Sequence, residues 1–224
     1  MIFTSHIFIF YFLPFVLLVY YALPVKRNFF LLVVSYIFYG WWDPRFVLLM
    51  FLATLVNYIC GRIIAAAPVG SSKRYWAVFA SVAISLSILG FFKYFMFVQN
   101  NLNFLLQILG SKAFSIYQVT LPIGISFYIF QSLSYTVDVY RGTSPPVRTF
   151  WDFACFVALF PQLIAGPIVR YNTIADQLTS RAHTLDKFTS GTALFILGFA
   201  KKLFLANMIA QAADAAFGAE TLSA

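Results

Sequence analysis

Polar side chains that could take part in chemistry are few in this chain, and three of them recur on one predicted helix. Gln131, Ser134 and Asp138 lie three and four residues apart within the apolar run 119–140. That spacing places all three on one helix face. The stripe has two interpretations: it lines a cavity, or it makes hydrogen bonds between neighbouring helices. The sequence leaves both open, and Asp138 is also close enough in sequence to pair with Arg141.

A second polar group lies in the sequence FPQLIAGPIVRY at 160–171. Pro161 and Pro167 lack a backbone N–H and disturb a helix interior, and Pro167 pushes Gly166 out of the helical region. A membrane-embedded helix breaks only where protein or a watery cavity satisfies the freed carbonyl groups. We therefore expect this stretch to face the protein interior or a cavity. The alternative is a kinked spanning helix that ends in an interfacial arginine, Arg170.

Side chains that often serve as acid–base or metal-binding groups are scarce. The two histidines are His6, beside the first apolar run, and His183, in a polar stretch. Both positions are typical of interfacial or solvated side chains, so no catalytic role is predicted for either. The two cysteines, Cys60 and Cys155, lie within apolar runs. They are predicted to be buried small apolar groups, with neither a disulfide nor a metal site.

The elements that must position these residues are predicted to be membrane helices. The chain has 224 residues, of which 62% are hydrophobic and 10% charged, and its mean hydropathy is +0.85. That composition excludes an ordinary soluble domain and is typical of polytopic membrane proteins, whose partner is the lipid bilayer. The net charge of +8 comes from short basic clusters between apolar runs. This pattern orients membrane helices and does not indicate nucleic-acid binding.

The order of apolar runs predicts an all-α polytopic membrane protein, with about seven transmembrane or re-entrant helices in a single membrane domain over residues 1–224. The runs are 7–23, 28–42, 46–64, 75–98, 119–140, 150–169 and 188–213. A shorter stretch, 101–109, has leucines at helical spacing and is predicted to be a separate interfacial segment. Lys201 and Lys202 cannot both face lipid, so a helix end or a cavity is expected there.

The basic residues between the runs predict the orientation. The loops after the first, third and fifth runs, together with Arg62 at the end of the third run, hold seven of them, whereas those after the second and fourth hold Arg45 and Lys112. The first set is therefore predicted to be cytoplasmic, which places the N-terminus outside. The loop after the sixth run breaks this trend, and a re-entrant sixth run would explain it. No small-residue cleavage site follows the first run, so we expect a retained helix.

Two long motifs carry a family resemblance. LPIGISFYIFQSLSYTVDVYRG at 121–142 precedes FPQLIAGPIVRY at 160–171, and shorter matching pieces are FYGWWDPRF at 38–46, GFFKY at 90–94 and GFAKKLFLAN at 198–207. With these motifs the chain resembles the membrane-bound O-acyltransferase family, and within it the bacterial alginate O-acetyltransferase branch. It is also similar to the D-alanyl transfer proteins of teichoic acid modification. The resemblance runs from the first residues of the chain to the last.

The resemblance implies a bacterial inner-membrane enzyme whose tilted and broken helices surround a funnel. Such an enzyme passes an acyl group from a cytoplasmic donor, acetyl-CoA or another acyl carrier, to a hydroxyl of an exported polysaccharide such as alginate. No bound cofactor is implied, and periplasmic polysaccharide-modification proteins are the expected partners. The motif match implies a set of funnel-lining candidates without individual roles: Gln131, Ser134, Gln162, Gly166, Pro167 and Arg170.

The resemblance also implies a segment that this chain does not contain. Family members are about twice this length, and their catalytic histidine lies in a later apolar segment. Neither histidine of this chain has that context, so the 224 residues alone are expected to be inactive, because acyl transfer to a hydroxyl needs a base. Two alternatives remain: a transporter or channel-like membrane subunit, which broken helices and embedded polar groups also fit, and an inactive truncated remnant.

Overall fold

The described part of the protein, residues 3–112, 114–163, 166 and 169–218 of the computed structural model, is built from helices and connecting turns, with no strand. The predicted all-α class is confirmed for these residues. The helices are α1 (Leu13–Ala22), α2 (Arg27–Gly40), α3 (Arg45–Ala66), α4 (Ser72–Ile108), α5 (Ile125–Arg141), α6 (Phe150–Ala158), α7 (Phe160–Leu163), α8 (Tyr171–Thr179), α9 (Leu185–Lys201) and α10 (Asn207–Phe217). Phe8–Phe12 and Lys202–Ala206 are π-helical and lead into α1 and α10.

Three helical stretches in the described residues are long and apolar enough to cross a bilayer. They are α3, α4 and the continuous stretch Leu185–Phe217, and two shorter apolar stretches are Phe8–Ala22 and Arg27–Gly40. The predicted count of about seven spans is not confirmed. The fifth and sixth apolar runs form helices that are too short by this measure, because α5 begins only after Gly124 and the sixth run breaks after Ala158.

Two expected helix boundaries are not found. The stretch 101–109 is not a separate interfacial segment, because α4 continues without interruption to Ile108 and ends before Gly110, whose φ of +72° suits a helix terminus. Of the two alternatives expected at Lys201 and Lys202, the helix end is not found, because α9 passes directly into the π-helical turn and then α10, with both lysines exposed. The other alternative, a cavity, stays a prediction. A further helix, α8, begins at the last residue of the second motif. It was not predicted, because its sequence is polar.

The chain divides into two compact units, residues 1–179 and 180–224. In the first unit, α3 packs against α4 and α5, and α2 packs against α6. Their shared core is dominated by large side chains that are almost fully buried, among them Met50, Tyr128, Tyr135, Phe153 and Phe156. In the second unit, the described residues of α9 and α10 include none that is buried.

The turn between α2 and α3 carries a local ion pair. Arg45 Nη2 lies 2.7 Å from Asp43 Oδ2, and the Arg45 guanidinium also donates to Asp43 Oδ1. These hydrogen bonds hold the pKa of the Asp43 carboxyl below its usual range. With Trp41 and Trp42 exposed on the same turn, the charged pair and the aromatic rings have the composition of a membrane–water boundary.

One buried amide connects three helices. Asn57 of α3 donates to Ser85 Oγ of α4 at 3.1 Å and accepts from Ser81 Oγ at 2.6 Å. Its Oδ1 also accepts from Thr136 Oγ1 of α5 at 3.1 Å. Interhelical hydrogen bonds in membrane proteins contribute modestly each, but here three converge on one side chain.

Replacing Asn57 by leucine is expected to lower the free energy of unfolding by about 2 kcal/mol, since three interhelical bonds of about 0.6 kcal/mol each disappear and buried hydroxyls lose their partner. Unfolding of the purified protein in detergent would measure the loss. Asn101→Leu is the control, because the exposed Asn101 bonds only its own helix, at Phe97 O. Equal effects at the two positions would contradict this role for Asn57.

Candidate functional site

The second motif contains a break between α6 and α7. The backbone leaves the helical conformation at Leu159, which has ψ +113°, and Phe160 N donates to Ser35 Oγ of α2 at 3.1 Å. Phe160 therefore does not donate to the carbonyl of Phe156, its partner in an unbroken helix. Pro161 follows without a backbone N–H of its own. The result is a buried Phe156 carbonyl that has lost its helical donor.

Two glutamine side chains satisfy that carbonyl. Gln131 Nε2 of α5 donates to Phe156 O at 2.8 Å, and Gln162 Nε2 of α7 donates to the same oxygen at 2.7 Å. A carbonyl oxygen has two lone pairs, so both amides bind without competing. Gln131 is only 1% exposed and Gln162 is 8% exposed. The two motifs are thus connected through one backbone atom.

The described part of the break faces the protein interior, as expected. Phe160, Gln162 and Leu163 are buried, while Pro161 is exposed. Residues 164, 165, 167 and 168 lie outside the described residues. The Phe156 carbonyl freed by the break is therefore satisfied by two protein side chains.

Two glycines allow the close backbone approach at this site. Gly124 precedes α5 with φ +74°, and a Cβ atom there would lie 2.6 Å from the backbone oxygen of Leu163. The backbone of Gly166 lies close to that of Gln162 in the same motif, because a Cβ at position 166 would lie 2.6 Å from Gln162 Cα. Any other residue at Gly124 would meet both a left-handed conformation and a backbone oxygen.

The other predicted site residues have different surroundings. Ser134 is half-buried and donates to Gln131 O within α5 at 2.8 Å. Arg170 is exposed, Gly166 is half-buried, and Pro167 lies outside the described residues. The structure thus brings Gln131, Gln162 and Gly166 together, and the assignment of any candidate to a funnel lining remains a prediction.

The suggested pairing of Asp138 with Arg141 is wrong. Asp138 is buried and its Oδ2 has no hydrogen-bond partner, whereas Arg141 is exposed at the end of α5. The backbone carbonyl of Asp138 does take part in the end of α5, where Thr143 N and Oγ1 both donate to it.

An aromatic cluster packs beside the break. Tyr135 of α5 lies 4.5 Å from Phe153 and 5.1 Å from Tyr171, measured between ring centroids. Tyr171 also contacts Phe156 at 5.4 Å. Burial raises the pKa of Tyr171 to about 12, so its hydroxyl stays protonated near neutral pH and is not a general base there.

Sequence reasoning missed three residues of this site. Ser35 receives the Phe160 N–H, Phe156 offers the shared carbonyl, and Leu163 contacts Gly124. The signal for Ser35 was present, because it is the one serine or threonine within the second apolar run, 28–42. The other two act through backbone atoms, so their residue types carry no signal.

The residues usually associated with catalysis lie apart from this network. His6 is exposed and stacks on Phe10 at 6.2 Å, and His183 is exposed with Nδ1 3.1 Å from Arg181 O. Cys60 and Cys155 are buried, as predicted. Within the described ranges, no three His, Cys, Asp or Glu side chains are grouped to hold a metal ion.

Apolar spanning helices with a buried, side-chain-satisfied helix break define a helical membrane protein. The chain is 47% identical over 218 residues to a Pseudomonas putida protein and 45% identical over 218 residues to an Azotobacter vinelandii protein, both named "Probable alginate O-acetylase AlgI". These alignments cover 97% of this chain but 45% and 44% of those proteins. A Helicobacter pylori "Peptidoglycan O-acetyltransferase" is 29% identical over 254 residues, covering 99% of this chain and 47% of that protein. No family model and no solved structure matches the chain.

These relatives confirm the resemblance to the alginate O-acetyltransferase branch of the membrane-bound O-acyltransferase family. The chain spans less than half the length of the curated relatives it matches.

Proposed function

We propose that this chain is part of a membrane-bound O-acetyltransferase that transfers acetyl groups to hydroxyls of an exported polysaccharide. The observation that carries the proposal is its 42–47% identity, over 97% of its length, to proteins named probable alginate O-acetylase. The broken helix at Phe156 supports it, because a funnel through a membrane needs helices that end within the protein. An alginate-like polymer is the acceptor that these names favour.

The role of the described residues in this enzyme is to build the framework. Gln131 and Gln162 hold the broken helix, and Gly124 lets the start of α5 approach it. Acyl transfer to a hydroxyl needs a base that removes the hydroxyl proton. We place that base in the part of the enzyme that corresponds to the remaining length of the relatives, of which this chain covers 45% and 44%.

Several further assignments complete the proposal. The acyl donor, acetyl-CoA or another acyl carrier, approaches from the cytoplasm, and periplasmic polysaccharide-modification proteins act with the enzyme. The protein lies in the bacterial inner membrane with its N-terminus in the periplasm, which the basic residues between the apolar runs support. Gln131, Ser134, Gln162, Gly166, Pro167 and Arg170 line or border the funnel.

Deleting the gene in the native bacterium is expected to remove O-acetyl esters from the exported polysaccharide while the amount of polymer stays the same. Ester content per sugar, measured by hydroxylamine reaction, and polymer yield give the two readouts. Loss of the polymer itself, with normal acetylation of any remainder, would instead indicate a transport subunit and contradict the proposal.

Returning only residues 1–224 to the deletion strain is expected to restore no acetyl esters, because the proposal places the base for the transfer outside these residues. The control is the complete natural gene, which is expected to restore them. Antibody detection in membranes would establish that both products are present. Acetylation supported by the 224-residue chain alone would show that its own side chains suffice.

A further inference from the structure

The first turn of α6 and the last turn of α8 meet at one side chain of α2. Asn28 Nδ2 donates to Asp152 Oδ1 at 2.6 Å and to the backbone oxygen of Leu178 at 2.7 Å. Asp152 belongs to the first turn of α6, and Leu178 is the last residue but one of α8. An amide nitrogen carries two hydrogens, so Asn28 donates to both groups at once. The two ends of the segment 150–179 are therefore held side by side.

Helix α6 runs in the same direction as α2. Asn28 bonds Asp152 near the start of both helices. About two turns further along both, Phe160 N donates to Ser35 Oγ at 3.1 Å. The two contacts advance together along the two helices, whereas contacts between antiparallel helices advance in opposite directions. The segment therefore enters the bundle alongside α2, from the end at which α2 begins.

The chain reverses its direction after α7. From Phe150 to Leu163 the helical rise amounts to about 20 Å, against a hydrocarbon thickness of about 30 Å. At Tyr171 the chain is back beside Phe156 of α6, because the two ring centroids lie 5.4 Å apart. The return leg, α8, then leads to Leu178 and its bond with α2. The inward and return legs thus lie beside each other along their length.

The ends that meet at Asn28 belong to the basic end of the bundle. Short turns at 41–44 and 67–71 join α2 to α3 and α3 to α4, so the start of α2, the end of α3 and the start of α4 lie together. Arg74 of α4 donates to Ile64 O of α3 at 3.2 Å. The same guanidinium donates to Val139 O and Tyr140 O at the end of α5, at 3.0 and 2.6 Å. The basic residues at this end are Lys26, Arg27, Arg62, Lys73, Arg74, Arg141 and Arg148.

We propose that residues 150–179 form a re-entrant hairpin that enters and leaves the membrane by this basic surface, with Asn28 as the clamp across its two ends. A segment that crossed the bilayer would separate Asp152 from Leu178 by about 30 Å, and one amide nitrogen could not bond both. Irregular backbone at membrane depth needs protein partners, and the side chains that bond Phe156 O supply them at the helix break.

The hairpin also accounts for the charges that follow it. After a crossing sixth run, Arg181 and Lys187 would lie on the surface that otherwise holds only Arg45 and Lys112 among the basic residues between the apolar runs. After a hairpin, both lie on the surface with the seven basic residues, in agreement with the charge asymmetry that orients membrane helices. This topology does not depend on the proposed enzymatic activity.

Cysteine labelling from one side of the membrane tests the hairpin. The complete natural protein, freed of other cysteines, carries Ser180→Cys or Ala182→Cys, and spheroplasts receive a membrane-impermeant maleimide before or after permeabilisation. Val69→Cys marks the basic surface, since Val69 is 89% exposed in the turn before α4, and Ser111→Cys marks the opposite surface, just after α4. We expect both reporters to be labelled only after permeabilisation, like Val69→Cys. Labelling of either reporter from the side that labels Ser111→Cys would overturn the proposal.

A second measurement tests the clamp. Leu178 is 8% exposed, so Leu178→Cys is expected to react slowly with the maleimide in permeabilised spheroplasts. Adding Asn28→Leu removes both hydrogen bonds and is expected to raise that rate about tenfold, because the end of α8 opens more easily. Asn101→Leu is the matched control, since the exposed Asn101 bonds only Phe97 O of its own helix. An unchanged rate with Asn28→Leu, or an equal rise with Asn101→Leu, would contradict the clamp.

Discussion

Replacing Gly124 by alanine is expected to destabilise the protein by more than about 3 kcal/mol and to abolish acetyl transfer by the complete enzyme. The backbone at Gly124 has φ +74°, which costs an L-residue about 1–2 kcal/mol. The new Cβ would also lie 2.6 Å from the carbonyl oxygen of Leu163. Leu163 is fully buried, so neither backbone can move apart without disturbing the helix break. Thermal or denaturant unfolding in nanodiscs measures the loss.

Gly142→Ala provides the matched control for this prediction. Gly142 has nearly the same conformation, with φ +75°, but a Cβ there would have nothing within 4 Å. Its replacement should therefore lower the free energy of unfolding only by the cost of the left-handed conformation, about 1 kcal/mol. The difference between the two variants isolates the contact between the two motifs. Similar losses at both positions would mean that the Gly124–Leu163 approach contributes nothing of its own.

Removing both amides from the Phe156 carbonyl is expected to be more damaging than the sum of the single changes. Gln131→Met or Gln162→Met leaves the carbonyl with one donor, and each should cost about 1 kcal/mol. The double variant leaves a buried carbonyl with none, and we expect a total loss of about 3 kcal/mol. A double-mutant cycle on the free energy of unfolding gives the coupling directly.

Ser134→Ala is the control for a substitution on α5 that does not affect the Phe156 carbonyl. Ser134 bonds only the backbone of its own helix, so we expect its removal to change stability by less than about 0.5 kcal/mol. Acetyl transfer should follow stability in all four proteins if the glutamines act as framework. A Gln131→Met protein that is stable but inactive would instead place Gln131 at the substrate. Additive losses in the cycle would argue that the two amides do not share an acceptor.

The sequence by itself determined the class of the protein and where one helix would be interrupted. Apolar run length and the positions of proline and glycine are local properties, and they correctly indicated membrane helices and an interruption by the proline-containing stretch 160–171, which faces the interior where it is described. They failed for α4, which was predicted to end at 98 and to be followed by a separate interfacial segment at 101–109. Gln99 and Asn103 instead bond backbone groups of Tyr117 and Phe114, 18 and 11 residues away, and the helix continues past both.

Only the tertiary structure decided what meets at the break. Gln131 and Gln162 lie 31 positions apart in sequence, and nothing in their types shows that one backbone oxygen accepts from both. The same holds for Ser35, which caps Phe160 from 125 residues away, and for the approach of Gly124 to Leu163. The physical reason is that backbone groups are identical in every residue. Which of them loses its helical partner can be read from proline and helix geometry, but which side chain replaces that partner depends on how the helices pack.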